Sequence, residues 1–134
     1  MSEARLKHAT AVFKAAGHPA RLRILRMLRP GALCVCQITA VLELAASTVS
    51  AHLAELKRAG LVTERKDGRW VSYRLGEDAA ARAVLEQVWA LTAQDPLVES
   101  DARLVRGLRR VPVERLCRVD LDLTRFGLRR QAAP

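Results

Sequence analysis

The sequence predicts a mainly α-helical fold that also contains a small β-hairpin. Apolar residues recur at intervals of three and four along most of the chain, which is the spacing of one helix face. Aromatic residues make up only 4% of the chain, a composition that favours helices packed on helices. On either side of Asp67-Gly68 the spacing of apolar residues changes to every second residue, which is typical of a strand. An Asp-Gly pair between two extended runs is a strong hairpin signal.

Two helices are predicted before residue 30. The first ends near Gly17, a residue type that favours helix ends, and Pro19 then fits the first turn of the second helix. The second helix stops before Pro30-Gly31. The apolar face of the first helix comprises Leu6, Ala9, Val12, Phe13 and Ala16.

Two short helices separated by a tight break come next. We expect one helix from Leu33 to Leu44, a break at residues 44–46, and another helix from about Ser47 to Ala59, closed by Gly60. The strands of the hairpin should cover residues 61–66 and 69–75. Further helices are predicted over residues 77–92 and 97–110, the latter weakened by Gly107 and ended by Pro112.

Two short helices, a tight break and a basic hairpin together predict a winged helix-turn-helix. The second helix of such a pair fits the major groove of DNA, and short polar side chains at its start let the backbone approach the bases. A net charge of +9 suits a polyanionic partner. We therefore predict DNA contacts from the helix and from the hairpin, where basic side chains would meet phosphates. The predicted contact residues are Ser47, Thr48, Ser50, Ala51, His52, Arg65, Lys66 and Arg69.

The stretch from Ala32 to Leu75 resembles the ArsR/SmtB family of metalloregulatory transcriptional repressors. The Ser-Ala-His-Leu run at residues 50–53 is similar to the family's recognition helix, and Asp67-Gly68-Arg69 is similar to its wing. Residues 17–25 resemble the entry into its second helix. The resemblance covers about residues 1–93, the expected DNA-binding and dimerisation domain, and residues 94–134 form a basic C-terminal extension of unclear structure.

The resemblance implies a homodimer that binds a double-stranded, palindromic DNA operator. In the family, the first helix packs against the long helix that follows the wing, and both predicted helices carry apolar faces that a small domain leaves exposed. The start of the chain lacks the apolar core of a signal peptide, and no apolar stretch is long enough for a membrane span. We therefore expect a cytoplasmic protein without membrane contact, whose three cysteines stay reduced.

The run Cys34-Val35-Cys36 resembles the thiol site of arsenite- and antimonite-responsive family members. Thiolates suit soft ions, and a helix N-terminus is expected to lower the pKa of a thiol. The family pattern commonly has a further cysteine where this chain has Thr39. We therefore predict Cys34, Cys36 and Cys117 as ligands of an inducer, arsenite or antimonite, with no constitutive cofactor.

Other functions remain open at this point. The cysteines could instead form a thiol redox sensor, or be small buried apolar residues in a regulator that responds to no ligand. An enzyme is not predicted, because no base or resolving group accompanies the thiols and no catalytic triad or phosphate-binding loop stands out.

Overall fold

A computed structural model describes residues 2–129 of the chain, and residues 130–134 of the predicted C-terminal extension lie outside the described part. The described part has seven α-helices, three β-strands and a 3-10 helix. No helix within residues 2–129 is long and apolar enough to cross a membrane. In chain order the elements are α1 Ser2–Ala16, α2 Pro19–Leu28, β1 Leu33–Cys34, α3 Val35–Leu42, α4 Ala46–Arg58, β2 Val62–Asp67, β3 Trp70–Leu75, α5 Ala79–Leu91, α6 Pro96–Leu108, α7 Val113–Arg118 and the 3-10 helix Leu123–Phe126.

The helix-turn-helix consists of α3 and α4, and the expected break between them is present. Glu43, at the end of α3, has a left-handed backbone with φ of 55°, and α4 begins after Ala45. Thr39 stands where the family pattern commonly has a further cysteine. It is buried inside α3, and its hydroxyl donates a hydrogen bond to the carbonyl of Val35 at 2.8 Å.

The sheet corrects the predicted start of the third helix. Leu33 and Cys34 form the short strand β1, which pairs antiparallel with β3, so the helix begins at Val35 rather than at Leu33. β3 lies in the middle of the sheet, with β1 on one side and β2 on the other. The pairing partners of Leu33 and Cys34 are Tyr73 and Ser72, which are distant in sequence, so local periodicity could not reveal the strand.

The hairpin between β2 and β3 is confirmed, but its turn lies one residue later than predicted. Asp67 pairs with Trp70, so the two-residue turn is Gly68-Arg69 rather than Asp67-Gly68. Gly68 has a φ of +61°, which is the first central position of a tight hairpin turn and favours glycine. The winged helix-turn-helix fold predicted from the sequence is therefore present.

One hydrophobic core joins the helix-turn-helix to the C-terminal extension. Leu104, Leu108, Leu116 and Leu123 of the extension are buried in the same cluster as the side chains of α2, α3 and α4. α6 also makes a buried ion pair with α2, in which the Arg23 guanidinium donates to both carboxylate oxygens of Asp101 at 2.8 and 3.0 Å. The part of the extension that the structure describes is thus helical and packed on the winged domain.

Gly107 allows the end of the extension to return onto α6. A Cβ at this position would lie 2.3 Å from the nearest side-chain carbon of Leu128, which is far too close. α6 nevertheless continues through Gly107 to Leu108, so the glycine that weakened the helix prediction is where a later segment packs closely.

Candidate DNA interface and thiol site

The side chains of α4 divide into a buried face and an exposed face. Val49, Leu53 and Leu56 are fully buried and fix the helix on the core. The opposite face carries short side chains, which permit close approach of a helix to DNA bases. Its predicted contact residues Ser47, Thr48, Ser50 and Ala51 are all exposed, and His52 is half-buried.

His52 is held in place by the start of α2. Its Nδ1 accepts a hydrogen bond from Nε of Arg21 at 3.1 Å, and its ring centroid lies 4.5 Å from that of His18. His18 in turn caps α2, because its Nδ1 accepts from the backbone N–H of Ala20. Burial lowers the pKa of His52, and the charges of His18 and Arg21 lower it further. Because Nδ1 accepts from Arg21, Nε2 carries the ring proton and is available as a hydrogen-bond donor.

The wing carries the three basic residues predicted to meet phosphates. Arg65 and Lys66 are exposed on β2, and Arg69 is exposed in the turn. The Arg69 guanidinium lies over the ring of Trp70, 5.1 Å from its centroid, which is within the range of a cation–π contact. This contact orients one of the three cations on the wing.

A carboxylate that the sequence analysis missed connects the wing to α4. The hydroxyl of Tyr73 donates to Oε2 of Glu64 at 2.7 Å, and Nζ of Lys57, in the last turn of α4, lies 3.6 Å from the same oxygen. Burial and the neighbouring carboxylate raise the pKa of Tyr73 to about 12, while the hydrogen bond lowers the pKa of Glu64. Of these contacts, the Lys57–Glu64 ion pair links the wing to α4, and the Tyr73–Glu64 hydrogen bond joins the two strands of the wing.

A cavity of about 430 Å³ lies between α4, the wing and the start of α3. Ser50 lines it on the side of α4, and Lys66 and Arg69 line it on the side of the wing. Cys34 and Cys36 line the third side. The predicted inducer ligands of α3 and the predicted DNA contacts therefore border the same cavity.

Cys36 meets a cysteine of the C-terminal extension. Its Sγ lies 3.4 Å from Sγ of Cys117 in α7, and no disulfide joins them. Cys34 precedes α3, and its backbone N–H donates to Oε1 of Gln37 at 2.8 Å. All three thiols are half-buried. The thiol pair in hydrogen-bond contact is thus Cys36 with Cys117.

The expectation that the helix N-terminus lowers the thiol pKa is wrong. Burial raises the pKa of Cys36 to about 11, and the hydrogen bond to Cys117 adds to the effect. The pKa of Cys34 is also raised, first by burial and then by Cys117 and the carboxylate of Glu114. Loss of hydration therefore outweighs the helix dipole, and the thiols of Cys34 and Cys36 are protonated near pH 7.

In the observed structure, two of the three thiols are placed to bind one soft ion together. With metal–thiolate bonds of about 2.3 Å, as for zinc, two sulfurs on one tetrahedral ion lie about 3.8 Å apart, somewhat more than the observed 3.4 Å between Cys36 and Cys117. Within residues 2–129, however, no three side chains of the His, Cys, Asp and Glu types are grouped to hold a metal ion. A third thiolate from Cys34 requires a local movement at the start of α3.

Two arginines of the extension contact the backbone at the two ends of the β1–α3 segment. Arg109 donates to the carbonyls of Gly31 and Ala32 at 3.0 and 3.1 Å. Arg129 donates to carbonyls in the last turn of α3 and lies 2.9 Å from the carboxylate of Glu43. The first helix of the helix-turn-helix is therefore held by the same extension that supplies Cys117.

Comparison with known proteins places residues 18–64 in a described family. They match the model of a bacterial regulatory protein, arsR family. This segment contains Cys34, Cys36 and α4, whereas Cys117 and the extension lie outside it.

Named relatives share the same part of the chain. The arsenic resistance transcriptional regulator ArsR1 of Pseudomonas putida is 46% identical over 65 residues, covering 48% of this chain and 51% of that protein. This chain thus spans about half the length of that relative. The arsenical resistance operon repressor of Escherichia coli is 37% identical over 81 residues, covering 58% of this chain and 69% of the repressor.

A solved structure extends the comparison to the fold. The homodimeric winged helix-turn-helix DNA-binding domain of a possible ArsR-family regulator from Mycobacterium bovis superimposes with a TM-score of 0.60 at 35% identity. The match covers 68% of this chain and 85% of that domain. The family model, the relatives and the fold agree: the chain belongs to the ArsR family of bacterial regulatory proteins, which are not enzymes.

Proposed function

We propose that this chain is a homodimeric transcriptional repressor that leaves its DNA operator when arsenite or antimonite binds its cysteine thiols. Cys36 and Cys117 are the primary ligands and Cys34 is the third. The observation that carries the proposal is the 3.4 Å contact between Cys36 and Cys117, at the border of the cavity that Ser50, Lys66 and Arg69 also line.

The exposed face of α4 and the wing supply the DNA contacts. α4 enters the major groove with Ser47, Thr48, Ser50 and Ala51, and His52 donates from Nε2. Arg65, Lys66 and Arg69 neutralise phosphates beside it. The proposal agrees with the net charge of +9 and with the name of the Escherichia coli relative, an operon repressor.

A second copy of the chain covers the exposed apolar residues of α1 and α5. Leu6 and Phe13 on α1 are 70% and 60% exposed, and Leu91 at the end of α5 is 83% exposed. Apolar side chains with such exposure on two neighbouring helices are typical of an interface. The similar Mycobacterium bovis domain is a homodimer, and a two-fold dimer matches a palindromic operator.

Replacing Phe13 by glutamate should convert the dimer to a monomer, because a charge would be buried without a partner at the interface. Sedimentation velocity measures the change. Leu97→Glu is the matched control, since Leu97 is 51% exposed on α6 and should leave the dimer intact. A Phe13→Glu variant that sediments as a dimer would place the interface elsewhere.

The protonated thiols suit arsenite in particular. Arsenite near pH 7 is the neutral hydroxide of As(III), and each thiol that binds it exchanges one As–O bond for one As–S bond and releases one water. No net proton is released and nothing is oxidised. A divalent cation instead displaces the thiol protons into solution, so the raised pKa of Cys36 opposes its binding.

Ligand binding reduces DNA affinity only if the ion binds most tightly to a conformation of the protein that binds DNA weakly. Recruiting Cys34 to the pair moves the start of α3 and, through β1, the pairing with β3 of the wing. The ion pair of Glu64 with Lys57 links the wing to α4, so a shift at the start of α3 alters how the two meet DNA.

The proposal is tested by titrating arsenite into the protein bound to fluorescent DNA from upstream of its own gene, under a reducing atmosphere. Fluorescence anisotropy should fall to the value of free DNA, and antimonite should act similarly. Zinc, at the same concentrations, is the control and should release less DNA. A complex that stays intact at saturating arsenite would contradict an arsenite-released repressor.

The same contact supports a second candidate, a thiol redox sensor. Peroxide would oxidise Cys36 and Cys117 to a disulfide, with both thiol protons leaving in water, and the sulfurs need to approach by only about 1.4 Å. Release by peroxide, reversal by a dithiol reductant and no response to arsenite would favour this function. A complex indifferent to both reagents would indicate a regulator without a ligand.

A further inference from the structure

The C-terminal extension carries a concave basic surface, which we call the arginine patch. It comprises Arg115 and Arg118 of α7 and Arg125 of the 3-10 helix, and these border a cavity of about 320 Å³ together with Val119 and Phe126. The family match at residues 18–64 does not include it. The patch therefore requires its own explanation.

The arginines of the patch are available to an external anion. All three are exposed, and within residues 2–129 none forms an ion pair with a carboxylate. The Arg115 guanidinium lies 5.5 Å from the centroid of Phe126, which holds it at the edge of the cavity. Three acids lie close in sequence, Glu114, Asp120 and Asp122, and none of them pairs with these arginines in the described residues. The carboxylate of Asp122 instead accepts hydrogen bonds from the backbone N–H and the hydroxyl of Thr124.

The helix α7, which carries two of the three arginines of the patch, lies next to the predicted DNA-binding face. Cys117 falls between Arg115 and Arg118 on α7 and touches Cys36, which itself lines the cavity bordered by Ser50 and the wing. Cys117 of α7 therefore touches a residue that lines the same cavity as the predicted DNA contacts. A phosphate group is negatively charged, and two of its oxygens can accept the paired N–H donors of one planar guanidinium group.

We infer that the arginine patch binds phosphates of the DNA backbone beyond those reached by α4 and the wing, and so lengthens the operator contact. The inference rests on the proposed DNA-binding function. It assigns the basic extension a part in affinity, since phosphate contacts position a protein on the duplex without reading its sequence. Each added contact should also steepen the dependence of affinity on salt.

The test compares a triple variant of the patch, Arg115→Ala with Arg118→Ala and Arg125→Ala, against a control triple on α6 and the turn that follows it. Arg103, Arg106 and Arg110 are equally exposed and spaced along one face of that region, so their replacement by alanine removes the same charge elsewhere. Both variants are measured on the operator and on an operator extended by about 10 base pairs, roughly one helical turn, on each side. Thermal unfolding checks that both remain folded.

On the extended DNA, the patch variant should reduce the slope of log affinity against log salt by about 5, since the homodimer carries two patches of three arginines and each phosphate contributes about 0.9. The control triple should change the slope by less than about 1. Equal slopes for the wild type and the patch variant would overturn the inference, and so would an equal reduction of the slope in both triple variants. Failure of the wild type to bind any of the DNA would instead contradict the proposed function.

Discussion

Replacing Cys36 by serine should abolish release by arsenite while leaving DNA binding intact. Serine keeps the size and hydrogen bonding of the side chain but cannot form a bond to a soft ion. We expect the arsenite concentration for half-release to rise by about 100-fold or more, equivalent to about 3 kcal/mol of binding free energy. The anisotropy titration on labelled operator measures it, and Cys117→Ser should give the same result.

Cys34→Ser is the matched control for the ranking of the thiols. Cys34 borders the same cavity but lies outside the 3.4 Å thiol pair, so its loss should weaken arsenite binding less than the loss of Cys36, while still impairing the release that its recruitment drives. If Cys34→Ser abolished release while Cys117→Ser left it unchanged, the site would lie in the Cys34-Val35-Cys36 run alone. Release that persists in Cys36→Ser would exclude the site altogether.

Replacing Asp101 by alanine should destabilise the protein by about 3 kcal/mol. Asp101 is 2% exposed and accepts both donors of Arg23, so its loss leaves a guanidinium partly buried without a partner. The side chain of Arg23 keeps 22% exposure, which holds the cost to the lower end of the range for buried pairs. Urea unfolding followed by circular dichroism measures the change.

An exposed ion pair provides the control for Asp101. Arg58 and Glu55 pair within α4, where both side chains are largely in solvent, and Glu55→Ala should cost no more than about 0.5 kcal/mol. A cost for Asp101→Ala as small as that of the control would mean that the ion pair does not anchor α6. Because α6 leads into α7, which carries Cys117, we also expect Asp101→Ala to weaken the response to arsenite.

The sequence predicted the winged fold well because its signals are local. The apolar spacing of α2 and α4, Pro19 at the start of α2, and the Asp-Gly pair near the wing turn each act within a few residues. The strand β1 was missed because its partner Ser72 lies far along the chain. The displaced turn has a local cause, since Gly68 rather than Asp67 occupies the position with positive φ.

The thiol site could be predicted only in part. Residue type and the family resemblance selected Cys34, Cys36 and Cys117, but which two meet depends on how α7 packs on α3. The contacts of Arg21 with His52 and of Glu64 with Tyr73 were not predicted, since neither pair is marked by spacing in the sequence. The sign of the thiol pKa shift depends on burial, which is also a property of the folded chain.

Arsenic K-edge X-ray absorption of the arsenite-bound protein tests the central claim, that thiols of α3 and of the extension share one ion. Arsenic should have three sulfur neighbours and no oxygen neighbour in the wild type. In Cys117→Ser, one sulfur should be replaced by oxygen. A wild-type spectrum with oxygen neighbours only would contradict a shared thiol site. So would a Cys117→Ser spectrum with the same number of sulfur neighbours as the wild type.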